Sequence, residues 1–266
     1  MISMHALEEA AFSAWPALEE QRYQAWCLRA ADGYTKRANS ANAISTIDEL
    51  SSTDIDYIEA FYLKRGVTPV FRLASFCTTA RTDNALIDRG YHFTDLSWVM
   101  TAPILPTASI HSTSPAYLLN QKNYTPDHKP REAIINLMPD AGTWLEAFQH
   151  ISKKLTAEQH THLQMLLAIQ TPCAFAVIFL GGEPVCCGIA VLNDHYCGLF
   201  DIVTHPYFCR RGYATQLCNY LMNWGAQHDA NTAFLQVTTA NHSAIHLYEN
   251  LGFRRYYQYW YRIHSG

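Results

Sequence analysis

Five of the eleven prolines, Pro103, Pro106, Pro115, Pro126 and Pro130, fall within residues 101–131 among serines, threonines and asparagines. Proline fixes φ and donates no main-chain hydrogen bond, so such a stretch neither continues a helix nor sits inside a sheet. A single core is hard to build across it. The chain is therefore read as two folded parts, 1–101 and 132–266, joined by an extended Pro-rich linker over 102–131. Hydrophobic residues make up 49% of the 266 and charged residues only 16%, so the chain can fill a sizeable core and is unlike a disordered one.

Periodicity assigns most elements. In the first part, Asp32-Gly33 between Tyr23–Ala30 and Tyr34–Asn39 predicts a hairpin. Ser52–Lys64 predicts a helix with Ile55, Ile58, Phe61 and Tyr62 on one face; Val70–Ser75, Asp83–Arg89 and Leu96–Met100 predict strand, helix and strand. In the second part, Glu132–Leu137 reads as a strand, and Thr143–Ile151 and Ala157–Ile169 as helices. Ala174–Leu180, Val185–Leu192 and Tyr196–Thr204, separated by short turns, predict an antiparallel meander. Ala214, Leu217, Cys218, Leu221 and Met222 then mark an amphipathic helix over 213–225. Strand Phe234–Thr238, a helix capped by Asn241 and stopped by Gly252, and the aromatic strand Tyr256–Ile263 close the chain. The strand–helix–Gly–strand rhythm of 70–100 is echoed by that of 234–263, a weak internal repeat.

Charge and cysteine usage exclude several function classes. Lys plus Arg (19) against Asp plus Glu (23) gives a net charge of −4, which argues against nucleic acid as a partner. Residues 1–101 hold 9 basic and 13 acidic side chains and the remainder 10 of each. The eight cysteines form no C-x-x-C pair, so neither a zinc site nor a disulfide framework is expected. His242 and His246 have a zinc-compatible i, i+4 spacing without a third ligand, and no metal is expected. Cys186 and Cys187 point to opposite faces of their strand. Residues 1–18 lack a basic segment followed by an apolar one, and the apolar run Cys173–Leu180 is too short to span a bilayer. The expectation is a soluble cytoplasmic protein with no membrane partner.

Chemistry concentrates in Ile202–Thr215, where an apolar strand delivers the turn Cys209-Arg210-Arg211-Gly212 to the start of an amphipathic helix. Open main-chain N–H groups and the positive end of the helix dipole converge there, a geometry that binds phosphate. Neither Gly-Lys-Ser/Thr nor G-x-G-x-x-G is present, so this is no Walker loop or dinucleotide fingerprint. Downstream, Asn241, Ala244, Leu247, Tyr248, Gly252 and Phe253 are spaced as N-x-x-A-x-x-L-Y-x-x-x-G-F. Together the two segments resemble the GNAT superfamily of N-acetyltransferases, whose acyl-CoA signature is Q/R-x-x-G-x-G/A followed by that helix. The resemblance covers roughly 132–266 and implies an α/β (α+β) fold with a mixed central sheet flanked by helices. Residues 1–101 resemble the truncated, GNAT-like partner domain of tandem members, expected to be non-catalytic.

The resemblance implies a role for each matched residue. Ile202, Val203 and Thr204 lie on the strand whose backbone pairs with pantetheine and supplies an oxyanion donor. Arg210, Arg211, Gly212, Tyr213, Ala214 and Thr215 cradle the pyrophosphate of acetyl-CoA, Asn241 contacts the cofactor arm, and Tyr248 protonates the leaving thiolate. Cys209 stands where Gln or Arg is usual, and Gln236 where many members place a glutamate base. An amide cannot accept a proton, so the base is sought in a water relay to Asp201 or His205, or is not needed; Asp201 reads equally well as a solvated strand-end carboxylate. The implied reaction is acetyl transfer from acetyl-CoA to a small-molecule or peptide amine by direct attack. The alternative is a non-catalytic acyl-CoA-binding or sensor protein, suggested by Gln236.

Overall fold

A computed structural model describes residues 2–46, 49–105, 132–153 and 158–264. Residues 106–131 of the linker assigned to 102–131 therefore lie outside the described residues. Helix α1 (Met4–Ala14) opens the chain, followed by strands β1 (Glu19–Tyr23), β2 (Trp26–Ala30) and β3 (Ser40–Ala43). Then come α2 (Ser52–Leu63), β4 (Val70–Ala74), α3 (Ala80–Asp88) and β5 (Tyr91–Pro103). The second part contains β6 (Ala133–Leu137), α4 (Ala141–Ser152), α5 (Gln159–Leu167), β7 (Cys173–Leu180), β8 (Glu183–Asn193) and β9 (Tyr196–Thr204). It ends with α6 (Tyr213–Gln227), β10 (Thr232–Thr238), α7 (His242–Asn250) and β11 (Arg254–His264).

All strands join one 11-stranded sheet in the order β1-β2-β3-β4-β11-β5-β10-β9-β8-β7-β6. The pairs β3–β4 and β9–β10 are parallel and the others antiparallel, so the sheet is mixed, as expected. Its order reveals an exchange. β4–α3–β5 and β10–α7–β11 are the two copies of the internal repeat, yet β11 pairs with β4, β5 pairs with β10, and the two last strands pair with each other. Each part thus completes the other's sheet. β5 also runs to Pro103, beyond the boundary set at 101, and Ile104 is buried after it.

Two apolar layers cover the sheet. One face carries α1, α2, α4 and α5, with Trp15, Tyr62, Trp144, Phe200 and Phe234 in its core. The other carries α6 and α7, with Leu217, Leu221, Ile245 and Tyr248. Cys187 belongs to the first layer and Cys186 to the second, as strand alternation requires. α1 docks through a buried pair: Glu8 accepts from both terminal nitrogens of Arg72 on β4, at 2.7 and 2.9 Å, and from the Tyr257 hydroxyl on β11.

Two local expectations need correction. The first hairpin, β1–β2, turns at Gln24-Ala25, with Gln24 at φ +48°, and Tyr34–Asn39 is not a strand. Asp32-Gly33 instead begins a compact loop stapled by buried Asn39, whose Oδ1 accepts from the N–H groups of Ala31 and Gly33. Its Nδ2 donates to the carbonyls of Ala31, Tyr34 and Thr35. A side chain here replaces ladder hydrogen bonds. The loop holds Tyr34 and Arg37 over β9.

Candidate active site

β9 and β10 run parallel but pair only over Tyr196–Gly198 with Thr232–Phe234; beyond that the strands part. The wedge opens towards Thr204 on one side and Thr238 on the other. On its opposite edge β9 stays paired to β8, with one irregularity: Cys187 faces Val203 and Ile189 faces Phe200, so Asp201 and Ile202 together oppose Gly188. This is a β-bulge, and Asp201 adopts φ +49° to make it. A Cβ on Gly188 would lie 2.3 Å from Ile202 Cδ1, so a side chain there would have to displace Ile202. The bulge also re-aims side chains. Phe200 packs in the α1/α4/α5 layer, Asp201 turns to the same side, and Ile202 packs in the α6/α7 layer.

The turn after β9 leads into the start of α6, as the sequence pattern placed it. Pro206–Phe208 form a short 3₁₀ turn, Arg210 and Gly212 adopt left-handed φ of +60° and +83°, and α6 starts at Tyr213 without a side-chain cap. Left-handed residues that alternate with Arg211 just before a helix start turn successive N–H groups into a concave nest. Arg210 and Arg211 are exposed, and the Arg211 guanidinium lies 5.4 Å from the Phe208 ring centre. These features sit at the open end of the wedge, directly after Thr204.

Tyr248 lies on α7 in the α6/α7 layer, 8% exposed. Burial, reinforced by Cys218 and Cys186, pushes its hydroxyl pKa well above the ordinary phenol value, so it is a neutral proton donor at any physiological pH. Cys186 also touches Thr204, Sγ to Oγ1 at 3.2 Å, which brings Tyr248 and the end of β9 to one neighbourhood. Asn241 Oδ1 accepts from the Ala244 N–H at 3.1 Å as the helix cap. His205 is turned into the loop, its Nδ1 accepting from the Tyr207 N–H.

On the other face, Asp201 is not a solvated strand-end carboxylate: its side chain is 13% exposed and its Oδ2 lies 3.0 Å from His162 Nε2. The contact is close without being an aligned hydrogen bond, and neither atom has a hydrogen-bond partner among the described residues. His162 Nδ1 is 2.9 Å from the Tyr34 hydroxyl, and the two rings stack at 4.8 Å. Burial and the nearby Asp201 charge push the Tyr34 pKa up, which keeps its proton available to Nδ1. With Tyr34 donating to Nδ1, the Nε2–H faces Asp201. Sequence reasoning missed Tyr34 and His162. His162 does lie in register with Met165 and Leu166 on the buried stripe of α5, a polar interruption that signals a paired core histidine.

Gln236 alternates with Leu235 and Val237 and so faces the same side as Phe200, where its Oε1 is buried without a partner. It lines a narrow cleft with Phe12, Trp15, Arg29, Arg37 and Phe200. The cleft walls thus come from both parts of the chain. Among the described residues no group of three or more His, Cys, Asp or Glu side chains could hold a metal, and no helix is long and apolar enough to cross a membrane.

Residues 139–253 match the model of the acetyltransferase (GNAT) family, and residues 3–91 match that of the probable histone acetyltransferase Rv0428c C-terminal region. The uncharacterized N-acetyltransferase YobR of Bacillus subtilis is 26% identical over 265 residues, 99% of each chain. Among solved structures, a GCN5-related N-acetyltransferase from Kribbella flavida superposes with a TM-score of 0.69 at 12% identity, covering 100% of this chain and 97% of the other. A tandem GNAT protein from the clavulanic acid biosynthesis pathway superposes with a TM-score of 0.56 at 12% identity, covering 91% of this chain and 78% of the other. At such identities the structural likeness speaks to the fold.

Proposed function

We propose that this chain, an acyltransferase of the GNAT superfamily, moves the acetyl group of acetyl-CoA to a primary amine by direct attack in a ternary complex. The observation that carries the reading is the β9–β10 wedge: it opens beside a bulge in β9 and leads into the Arg210–Gly212 nest. Pantetheine would pair with Ile202–Thr204 as an added strand. A main-chain N–H at the bulge would polarise the thioester carbonyl. Arg210, Arg211, Gly212, Tyr213, Ala214 and Thr215 would hold the pyrophosphate, with Asn241 beside the cofactor arm.

The amine nitrogen forms a bond to the acetyl carbon, and the C–S bond breaks. The ammonium proton passes to Asp201, held in place by His162 and Tyr34, and the departing thiolate takes the Tyr248 proton. Donor chemistry then lies on the α6/α7 side and acceptor chemistry on the α1/α4/α5 side. The domain reading, with 1–101 a degenerate GNAT-like partner of 132–266, accompanies this proposal.

Free-thiol release from acetyl-CoA, measured across a panel of amines, tests it. Release with at least one amine is expected, and Tyr248→Phe should slow turnover about 10²-fold or more while keeping acetyl-CoA affinity. Tyr248 loses its role if the rate is unchanged across pH. Gln236, which leaves β10 without a base, favours a second reading, an acyl-CoA-binding or sensor protein. Stabilisation by acetyl-CoA without release from any amine supports that one.

A further inference from the structure

The cleft beside Gln236 has an unbalanced charge. Three arginines line it. Arg29 is paired with Glu20 at 2.7 Å and donates to the carbonyls of Arg37, Phe12 and Trp15. Arg72 is paired with both oxygens of Glu8. The Arg37 guanidinium has neither a carboxylate nor a hydrogen-bond partner among the described residues. It lies instead over two aromatic faces, 5.4 Å from the Trp15 ring centre and 5.9 Å from that of Phe200. Stacking of this kind fixes the plane of a guanidinium and leaves its edge N–H groups free for a flat anion. The Asn39-stapled loop further limits where Arg37 can go.

A second observation is independent of that charge. Gln236 Oε1, on β10 across the wedge from Phe200, is buried and accepts no hydrogen bond. An orphaned acceptor of this kind costs free energy unless a donor reaches it, and an acceptor amine or amide N–H is such a donor.

We propose that this cleft binds the carboxylate of a small amino-acid-class acceptor. The Arg37 edge takes the carboxylate, Gln236 Oε1 takes an N–H of the same molecule, and Phe12, Trp15 and Phe200 cover its apolar part. The proposal rests on the transferase reading and adds the class of acceptor. It also gives residues 1–101 a task, since Phe12, Trp15 and Arg37 all belong to them. Charge-assisted pairing with a carboxylate corresponds to about ten- to a hundredfold in affinity.

The test uses matched amines that differ only at the carboxylate: alanine, phenylalanine and leucine, each against its amide and its decarboxylated amine. Thiol release gives kcat/KM for each. The unmutated protein is expected to favour at least one carboxylate member over its own twins at least tenfold. Arg37→Gln should reduce that preference to within about threefold through KM, and Arg37→Lys should restore part of it. The melting temperature and its rise with acetyl-CoA report folding and the donor site in each variant. In parallel, the rise in Tm given by the N-acetylated amino acids with CoA is compared with that given by their amides, which requires no turnover.

Equal or better use of the uncharged twins refutes the proposal, as does a preference that survives Arg37→Gln. If no amine releases thiol, the transferase reading fails by itself. The carboxylate-dependent rise in Tm then decides the site, and its absence refutes the proposal.

Discussion

Gly188→Ala tests the bulge beside the proposed donor site. An alanine Cβ would lie 2.3 Å from Ile202 Cδ1 and 3.1 Å from Leu217 Cδ2, with Leu221 Cδ1 at 3.5 Å behind them. Ordinary carbon–carbon contact begins near about 3.5 Å, so the Ile202 methyl must retreat by roughly 1 Å. Leu217 and Leu221 block retreat towards α6, whereas Ile202 is only half-buried and can turn into the wedge. Overpacking of this kind costs about 1–3 kcal/mol, a fall in Tm of about 2–12 °C for a chain of this size. Because the displaced side chain enters the proposed pantetheine path, the rise in Tm with acetyl-CoA should also shrink and the KM for acetyl-CoA should increase. Ile202→Val removes Cδ1 and should restore both, with a favourable coupling of about 1 kcal/mol or more. Thermal melts of the four members of the cycle, with and without acetyl-CoA, supply every term. The reasoning is refuted if Gly188→Ala melts with the parent and keeps its full ligand shift, or if Ile202→Val merely adds its own loss.

Three further outcomes follow from named contacts. Gly212→Asp puts a carboxylate at the nest and strains a residue at φ +83°, so acetyl-CoA should no longer raise Tm; an undiminished rise would remove the nest from the donor site. Glu8→Ala leaves Arg72 buried without its counter-ion, and denaturant melts should show a loss of about 3–5 kcal/mol; a loss below about 1 kcal/mol would mean that the pair does not anchor α1. Burial raises the Asp83 pKa, but hydrogen bonds from Arg262 and Trp260 outweigh it and hold the folded value below the usual carboxylate range. A depressed folded pKa stabilises above the unfolded value, near about 3.9, and that contribution is lost as pH falls through the folded pKa. Asp83→Asn should therefore lower Tm at pH 7 and flatten its decline below about pH 4; parallel acid limbs would contradict the linkage.

Much of the second part was legible because periodicity, caps and turns agree there. The meander, α6 with its stripe, and α7 with Asn241 before it and Gly252 after it all fall where local patterns put them. What was illegible depended on partners. Simple alternation along β9 would put Asp201 opposite Phe200, but the bulge opposite Gly188 turns it to the same side, and no local pattern encodes which glycine faces which strand. α1 escaped because half of its six buried residues are alanines, Ala10, Ala11 and Ala14, and another is Glu8, neutralised by an arginine 64 residues away. The strand exchange escaped for a related reason. β5 and β11 carry the same local signals whichever penultimate strand they join, so only tertiary packing chooses. Tyr34, His162 and Asp201 meet across separations of 128 and 39 residues, beyond any motif.

The exchange also explains why position 236 can be an amide. With β5 beside β10 and β11 beside β4, the first part is drawn over the acceptor face, and α1 and the 31–39 loop roof the side chains of β9 and β10. That roof brings Arg29, Arg37 and Arg72 to the same cleft as residue 236. A carboxylate at 236 would be held ionised by the unpaired Arg37 charge and so made a weak base. It would also occupy the Arg37 guanidinium, to which the proposed acidic acceptor is assigned. An amide avoids both and keeps a hydrogen-bond acceptor in place. The proton then needs another carboxylate, and the bulge supplies one on the next strand. Asp201, turned to the acceptor face by its left-handed φ, meets His162 instead of an arginine. In the proposed mechanism, acceptor charge recognition and proton removal thus lie on separate strands, and the first part is what separates them.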